Sequence, residues 1–498
     1  MPARSTPVAI PAPFGGMNTR DGLAVLKPEE ARYLMNWTPI GNAVEIRKGY
    51  TEQSTGGVAG IVATLVPFNG LTSSKLVGIN GATTAADLYD FSAASAAQIA
   101  NSNYTVNRWQ IENYGNRLIG VNGTDTPFTY DGSSSGATGF SGSGLTIANL
   151  INIRKVRNRL WFCEKSSADV WYGGLGAITG TLTKFQLSQV VSGGTCMAIG
   201  AHSSDAGDGA DDLTVFVMST GEVVVYSGDP SSTFAKVGNF TMPPPVGRKC
   251  LVSIGGQLAV LTRMGLVPVD AAFRGTAFDV VALGNFGKVS PSIQKDVEQF
   301  GSLDGWEMVF HNGLVVINVP TLTNAASRQW VYNVLTGAWT QWSLPAACLA
   351  VWGGNLYFGA WGVGTVWKYS GSDDDGASIS TVARTSFTPP EGISRLVASM
   401  IRFDMAVDGQ VSGRFGIDAD FISGTIDIPS VTIAASSTST PWGSPWGSAW
   451  SASTQSSSEW FGTYGEGRRL SVALEASVLA DTAEWYSTQM LVEQGGAL

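Results

Sequence analysis

Histidine occurs only twice in these 498 residues, at His202 and His311, so a Ser/His/Asp relay has two places to start. His202 stands in AIGAHSSDAGDGADD, which reads as a loop, and His311 precedes an Asn312-Gly313 turn. No GxSxG elbow, HExxH pair or phosphate-cradling GxxxxGK[ST] accompanies either one, and both read as turn or surface residues. Acids are more numerous. Asp205, Asp208, Asp211 and Asp212 cluster in a glycine-containing loop of the oxygen-rich kind that calcium favours. Their spacing fits neither an EF-hand nor a repeated nonapeptide. Asp373, Asp374 and Asp375 form a second acidic tip, and both clusters read as solvated loops. Glycoside hydrolysis would need two carboxylates facing each other across a funnel. Glu222, Asp229, Glu298, Asp304 and Glu307 are candidates, but nothing in the sequence makes two of them converge. No catalytic, cofactor-binding or metal residue is assigned, and the chain is expected not to be an enzyme.

A different chemistry is offered by Trp442, Trp446 and Trp450, four apart in SSTSTPWGSPWGSAWSASTQSSSEW. Pro441, Pro445 and the glycines forbid a regular helix there, so the spacing does not make a helical face. The loop either folds back onto its own domain, orders against a neighbouring subunit or ligand, or serves as a carbohydrate platform. These tryptophans, with Asn18 and Arg20 of a proline-bearing N-terminal arm, are the candidate interface residues.

The elements that must position all of this announce themselves by repetition. A turn, an apolar run, a short gap and an aromatic-rich run recur from Lys75, Arg117, Arg159, Leu213, Leu258, Leu314 and Leu356. Three of the six intervals are 42 residues, and the others are 54, 45 and 56. Strand-rich repeats of this period predict an all-β chain carrying a β-propeller of six or seven blades. One unit is expected to be split between the propeller's chain ends to close the ring, and the long intervals to be loop insertions at blade edges. LTVFVMSTGEVVVYSGDP is the plainest hairpin, turning at Ser219-Thr220-Gly221-Glu222. A second turns at Gly265, a third at Thr336-Gly337.

Residues 1–60 read as an extended arm plus strands docking on the C-terminal domain, 61–380 as the propeller, and 381–498 as a β-sandwich-like domain that holds the tryptophan loop. Within the first segment PEEARYLMNW (Pro28 to Trp37) reads as the best short helix, and AVEIRKGY alternates as a strand. The N-terminus has no long apolar run and is expected to be neither a signal peptide nor a membrane segment.

Composition narrows the partners. Only 14% of residues are charged, against roughly 25% in an average globular chain, which suits a surface covered by neighbouring subunits. The net charge is -9 and no Lys/Arg run is visible, which argues against gripping phosphates. An acidic balance fits ordinary solubility, and equally a wall past which DNA slides without sticking. Cys163, Cys196, Cys250 and Cys348 show no CxxC pairing and are expected to be buried free thiols.

Several phrases have a family character. GGMNTRDG (Gly15 to Gly22) and NWTPIGNAVEIRKGY (Asn36 to Tyr50) are joined by GEVVVYSGDPSSTFAKVGNF and PPPVGRKCLVSIGGQLAVLTRMGLVPVD. WVYNVLTGAWTQWS and NLYFGAWGVGTVWKYSGSDDDGASI continue them. In this order, over residues 15 to about 380, the chain resembles the propeller-bearing tail proteins of short-tailed bacteriophages, the nozzle or tail tubular class. The ending EWYSTQMLVEQGGAL fits the same kind of protein. The resemblance implies a structural virion protein, assembled in the host cytoplasm into a ring of six below the head-tail adaptor. Its implied partners are further copies of itself, the adaptor, other tail proteins and, non-specifically, the translocating DNA that the ring conducts and retains. It carries over no catalytic, cofactor or gate residues. The alternative is a receptor- or glycan-binding propeller at the tail tip; a polysaccharide-degrading enzyme ranks third.

Overall fold

A computed structural model describes residues 5–55, 60–82, 85–203, 213–388, 395–408, 410–424, 431–434, 455–456 and 459–494. The chain forms two compact units, one of residues 52–329 and 344–368, the other of residues 1–51, 330–343 and 369–498. No helix among the described residues is long and apolar enough to cross a membrane.

The larger unit is a β-propeller. Blade one is the antiparallel sheet Ile61–Asn69, Ser74–Ala82, Ala85–Asp90 and Ala97–Tyr104. Blade two is Gln110–Tyr114, Arg117–Val121, Phe128–Tyr130 and Ser135–Ala137; blade three is Leu150–Val156, Arg159–Glu164, Val170–Tyr172 and Thr183–Phe185. Blade four is Cys196–His202, Leu213–Met218, Glu222–Ser227 and Ala235–Thr241. Blade five has three strands, Leu251–Ile254, Gln257–Thr262 and Gly265–Pro268. Blade six begins Glu307–His311, Leu314–Leu322, and its next strand, Ala326–Asn333, leaves this unit at Trp330. Blade seven is Ala346–Trp352, Asn355–Ala360 and Thr365–Tyr369, with Tyr50–Thr55 as its fourth strand.

Each repeated phrase therefore lies on the second and third strands of one blade, and seven phrases make seven blades. The expected split unit is blade seven, closed by a strand from before blade one. First strands of neighbouring blades pack side by side, and that of blade seven packs on that of blade one, closing the ring. At blade five the second strand takes this place against blade four, with Leu258 lying over Gly200.

The surplus in the 56-residue interval is not a loop. Where a fourth strand of blade five would stand, the chain forms helices α1 (Val269–Phe273), α2 (Ala277–Leu283) and α3 (Ser290–Phe300). Pro291 stands in the first turn of α3, where a missing N–H costs nothing, and Ile293 buries its inner face. In the 54-residue interval lie a short 3-10 turn, Leu187–Gln189, and the acidic loop with Asp205, Asp208, Asp211 and Asp212, which falls outside the described residues.

A single blade cannot bury both faces of its sheet, so the apolar cores of the propeller sit between blades. Phe68, Leu88, Trp109 and Phe128 join blades one and two. Between blades three and four Trp161 is ringed by Tyr172, Phe185, Phe216 and Phe234 at centroid distances of 5.1, 6.2, 5.4 and 5.5 Å. Val62, Leu76, Cys348 and Tyr357 seal the seam between blades seven and one.

The smaller unit is built from the chain ends, as the sequence suggests, in two sheets. In one, Leu396–Asp408 pairs along its length with Thr482–Gln494, which also takes Thr6–Pro11 and Ala43–Ile46. In the other, Glu30–Met35, Ile379–Thr385, Leu470–Val478 and Gln410–Ala419 lie in that order. The aromatic core runs through Trp37, Trp485, Phe403, Phe415 and Phe461, with successive centroids 5.8, 6.0, 5.5 and 5.7 Å apart. The N-terminal arm thus finds its partner strand in its own chain.

Two readings of the sequence are corrected here. PEEARYLMNW is not a helix: Glu30–Met35 is a strand, antiparallel to Ile379–Thr385. Its buried Ala31 and Leu34 are consumed by sheet pairing, and tertiary context overrides the helix signal of Pro28 and its acids. The boundaries also move. Residues 330–343, which carry the WVYNVLTGAWTQWS phrase, belong with the chain ends rather than the propeller. Met35 bridges Gln341, Thr340 bonds the Leu34 carbonyl, and Trp342 stacks on Tyr369 at 4.9 Å, so this hairpin is buried by the smaller unit.

Candidate functional site

Two regions concentrate groups that could act on something outside the chain: the sandwich of chain ends and the channel of the propeller. The sandwich owes its geometry to two buried polar hubs. Asn36, with φ +60°, donates to Ser343 Oγ at 2.8 Å and the Ser380 carbonyl at 2.7 Å, and accepts from Arg47 Nε at 2.9 Å. The Arg47 guanidinium is fully buried and forms a fork with Asp374 at 2.8 and 2.7 Å. Asn18 organises the other hub. Its amide donates to Asp21 at 2.9 Å and Glu30 at 3.0 Å, and its carbonyl accepts from the backbone of Arg20 and Asp21. Gly16 must be glycine, because at φ +76° a Cβ would lie 2.6 Å from the Trp339 nitrogen.

Asn18 is 2% exposed, and its bonds lie within the chain. Arg20 is part-exposed and pairs with Asp21 at 2.9 Å. In the NTRD phrase Asn18 fastens to Glu30 and the Ala31 carbonyl, and in NW…IRKGY Asn36 and Arg47 reach Ser343, Ser380 and Asp374. Trp442, Trp446 and Trp450 lie outside the described residues.

The same unit presents apolar side chains to solvent. Val25 and Ile422 are 70% and 72% exposed, with Leu23 and Phe421 beside them in the chain also exposed. Arg469 draws the two tips together, donating to the Ala24 carbonyl at 2.9 Å while its guanidinium lies 5.6 Å over the Phe421 ring. Asp420 and Phe421 both have positive φ, +49° and +68°. A bulky residue there is strained, and the turn is held by Asp420 accepting from the backbone of Arg468 and Arg469. The Phe421 ring, 41% exposed, meets Phe387 edge-on at 5.0 Å.

The first strands of the blades face one another around the propeller channel. A cavity of about 460 Å³ is lined by the first strands of all seven blades. Its charges are partly matched: Arg154 stands 3.6 Å from Glu112, and Lys249 2.8 Å from the buried Glu307, which also accepts from the Leu349 backbone. At one mouth a second cavity of about 210 Å³ collects Arg108, Arg248, Lys249, Asp304 and Glu307. No spacing in the sequence joins these residues; only ring closure does.

The residues weighed for chemistry are dispersed or occupied. His202 is not a surface residue: it is buried at the end of blade four, 2.9 Å from Asp270 of α1 and edge-on to Phe273. Among the described residues its Nδ1 has no hydrogen-bond partner, and no described nucleophile stands on it. His311 precedes the expected turn but is buried against Asn312. Glu222 accepts from Ser192 and Asn239 at an outer strand. Asp229 is forked by Arg159 at 3.0 Å; partial burial alone would raise its carboxyl, but bonds from Ser231 and Arg159 bring it down to about 2. Glu298 is exposed on α3, and of the five acids Asp304 and Glu307 meet in one cavity. Asp373 caps its own turn, and Asp374 is taken by Arg47. Among the described residues no group of three or more His, Cys, Asp or Glu could hold a metal ion. All four cysteines are free and buried, and burial pushes the Cys250 and Cys348 thiols up to about 12.

No protein-family model matches the chain, and no curated protein matches it. Among solved structures it is similar to the WD40 β-propeller domain of Doa1, at 11% identity and a TM-score of 0.40, over 65% of this chain and 97% of that one. BBS1N, crystallised in complex with ARL6DN, gives 12% and 0.38 over 65% of this chain and 98% of its own. Chaetomium thermophilum Raptor gives 11% and 0.39 over 70% of this chain and 30% of its own. At such scores these likenesses carry no functional argument.

Proposed function

We propose that this chain is a structural subunit of a bacteriophage tail, forming a ring of about six copies that conducts and retains DNA below the head-tail adaptor. The reading rests first on the family resemblance of the NTRD, NW…IRKGY and later phrases. The observation that carries it further is the paired apolar tips of the sandwich: exposed Val25 on one, and on the other exposed Phe421 and Ile422 at a turn with positive φ at Asp420 and Phe421. Burying them between copies would recover the apolar surface that a lone subunit leaves in water. A net charge of -9 suits a wall along which DNA passes without adhering. The cavity in the propeller channel, about 460 Å³, is too small to carry a duplex, so in this reading the conduit is the space enclosed by the ring of subunits. The adaptor and other tail proteins are the further partners, and no chemical step is assigned to the chain.

The mass of the purified protein by light scattering tests the reading. A particle near six times 52.2 kDa is the expected result. A monomer or trimer that binds host glycan would overturn it in favour of a tail-tip receptor binder.

A further inference from the structure

The exposed apolar tips of the sandwich stand among cations. The loop of residues 22–27, which carries Val25, ends at Lys27, and the turn of Phe421 and Ile422 is held by the backbone of Arg468 and Arg469. Arg469 is spent on the Ala24 carbonyl and the Phe421 ring. Lys27 and Arg468 are exposed, and among the described residues neither forms an ion pair. Just behind them Arg32 and Arg384 share one carboxylate, that of Asp418. Arg20 and Asp21 cancel each other. Lys27, Arg32, Arg384, Arg468 and Arg469 thus outnumber Glu29, Glu30, Asp418 and Asp420, on a chain whose net charge is -9.

The opposite end of the same sheet is acidic. Leu470–Val478 runs nine residues, about 26 Å, from the arginines to the turn of residues 479–481. That turn borders a recess of about 280 Å³ lined in part by Glu45, Lys48, Asp481 and Glu484. Arg47 also lines it, but its guanidinium is taken by Asp374. Glu45 and Glu484 face each other across paired strands, an arrangement that costs stability when both are charged. Burial and the nearby Glu484 raise the Glu45 carboxyl above its ordinary value, against the pull of Lys48. Asp408 is exposed opposite Thr482, and Leu479 is exposed on the turn itself.

We propose that the apolar tip of one copy docks on the acidic recess of a second copy, covering Leu479 and setting Lys27 and Arg468 against Glu45, Asp481 and Glu484. This pairing rests on the ring of copies proposed above and names the two surfaces that build it. A head and a tail at opposite ends of one unit make a heterologous contact, which generates a ring when the rotation closes. A two-fold pair joined tip to tip would instead set cation on cation. Complementary charge sorts head from tail, and burial of the apolar side chains holds them together. The cations also offset the repulsion between Glu45 and Glu484. Both surfaces belong to the chain-end unit, so the propeller takes no part in the contact.

Charge reversal in the full chain tests the pairing by light scattering. Lys27→Glu with Arg468→Glu makes the tip acidic; Glu45→Lys with Glu484→Lys makes the recess basic. Each double variant is expected to lose the ring and run at the mass of one copy. Mixed in equal amounts, the two are expected to rebuild a particle near six times 52.2 kDa. An acidic tip then meets a basic recess, and a basic tip an acidic one, alternately around an even number of copies. Should the recess variant not fold, Glu484→Lys alone takes its place, since that side chain is exposed. Where the wild type is a ring, a ring that survives either reversal, or variants that stay apart on mixing, overturns the pairing and leaves the ring itself standing. A wild-type chain that is monomeric overturns the ring, and this pairing with it.

Discussion

The propeller and the chain-end sandwich both consist of strands around buried tryptophans, yet they close over very different spans of sequence. Six blades of the propeller pair strands that follow one another by short turns, as in Leu213–Met218 with Glu222–Ser227. Non-local pairing enters at the seam, where Tyr50–Thr55 completes blade seven. The sandwich is the reverse: Thr6–Pro11 pairs with Thr482–Gln494, and Glu30–Met35 with Ile379–Thr385. Accordingly its polar groups do more of the fastening. Arg47, Asn36 and Asp374 join three distant stretches of chain by buried hydrogen bonds, whereas the blades are held mainly by apolar faces between neighbours. Repetition makes the one unit tolerant, and the other depends on a few irreplaceable ties.

That contrast can be broken most forcefully at the tryptophans. Trp485→Ala should cost about 3–5 kcal/mol, since the ring is fully buried against Trp37 and Phe403. Trp161→Ala should cost a similar amount in the propeller. Scanning calorimetry should show each variant lowering a different transition; one shared transition moved equally by both would mean the units do not unfold separately. Next in size is Arg47→Met, which strands the Asp374 carboxylate and one acceptor of Asn36. A loss of about 3 kcal/mol is expected in the sandwich transition alone, read from urea unfolding.

A third variant sharpens the contrast on the surface. Val25→Asp combined with Ile422→Asp should change stability by no more than about 0.5 kcal/mol each, because both are exposed. The same pair should abolish the ring in light scattering; an intact ring would clear these tips of any role in assembly. The smallest effect concerns acid. The Asp229 carboxyl sits at about 2 in the folded chain, below its ordinary value, so its bond to Arg159 stabilises the propeller above about pH 4 and is lost as pH falls through 2. Arg159→Met should flatten the acid limb of the propeller's stability profile between those values, and an unchanged limb would show that the pair contributes nothing.

The propeller was legible in the sequence because each blade's second and third strands repeat one phrase, and repetition survives where no single phrase is diagnostic. The hairpin turns at Gly221, Gly265 and Gly337 were legible for a local reason, their positive φ. The helices of blade five were not. With five and seven residues, α1 and α2 fall below the window in which a helical period can be counted, and α3 hides behind Pro291. The strand Glu30–Met35 was misread because two of its neighbours in the sheet, Ala338–Trp342 and Ile379–Thr385, lie roughly 300 to 350 residues further on. The channel mouth had no signal at all, since Arg108, Arg248 and Glu307 meet only once the ring has closed.

The pairing of the first strand with the last sets a timetable for making the protein. A ribosome adding about 5–20 residues per second delivers Thr482–Gln494 roughly 25–100 s after Thr6–Pro11. Through that interval the blades can form in order as they emerge, while the arm waits with its backbone donors and acceptors unanswered. Pro7 and Pro11 remove two of those donors, which makes the waiting strand a poor template for pairing with another chain. The nascent protein is thus a propeller under construction with a guarded free end, and the sandwich is the last thing made.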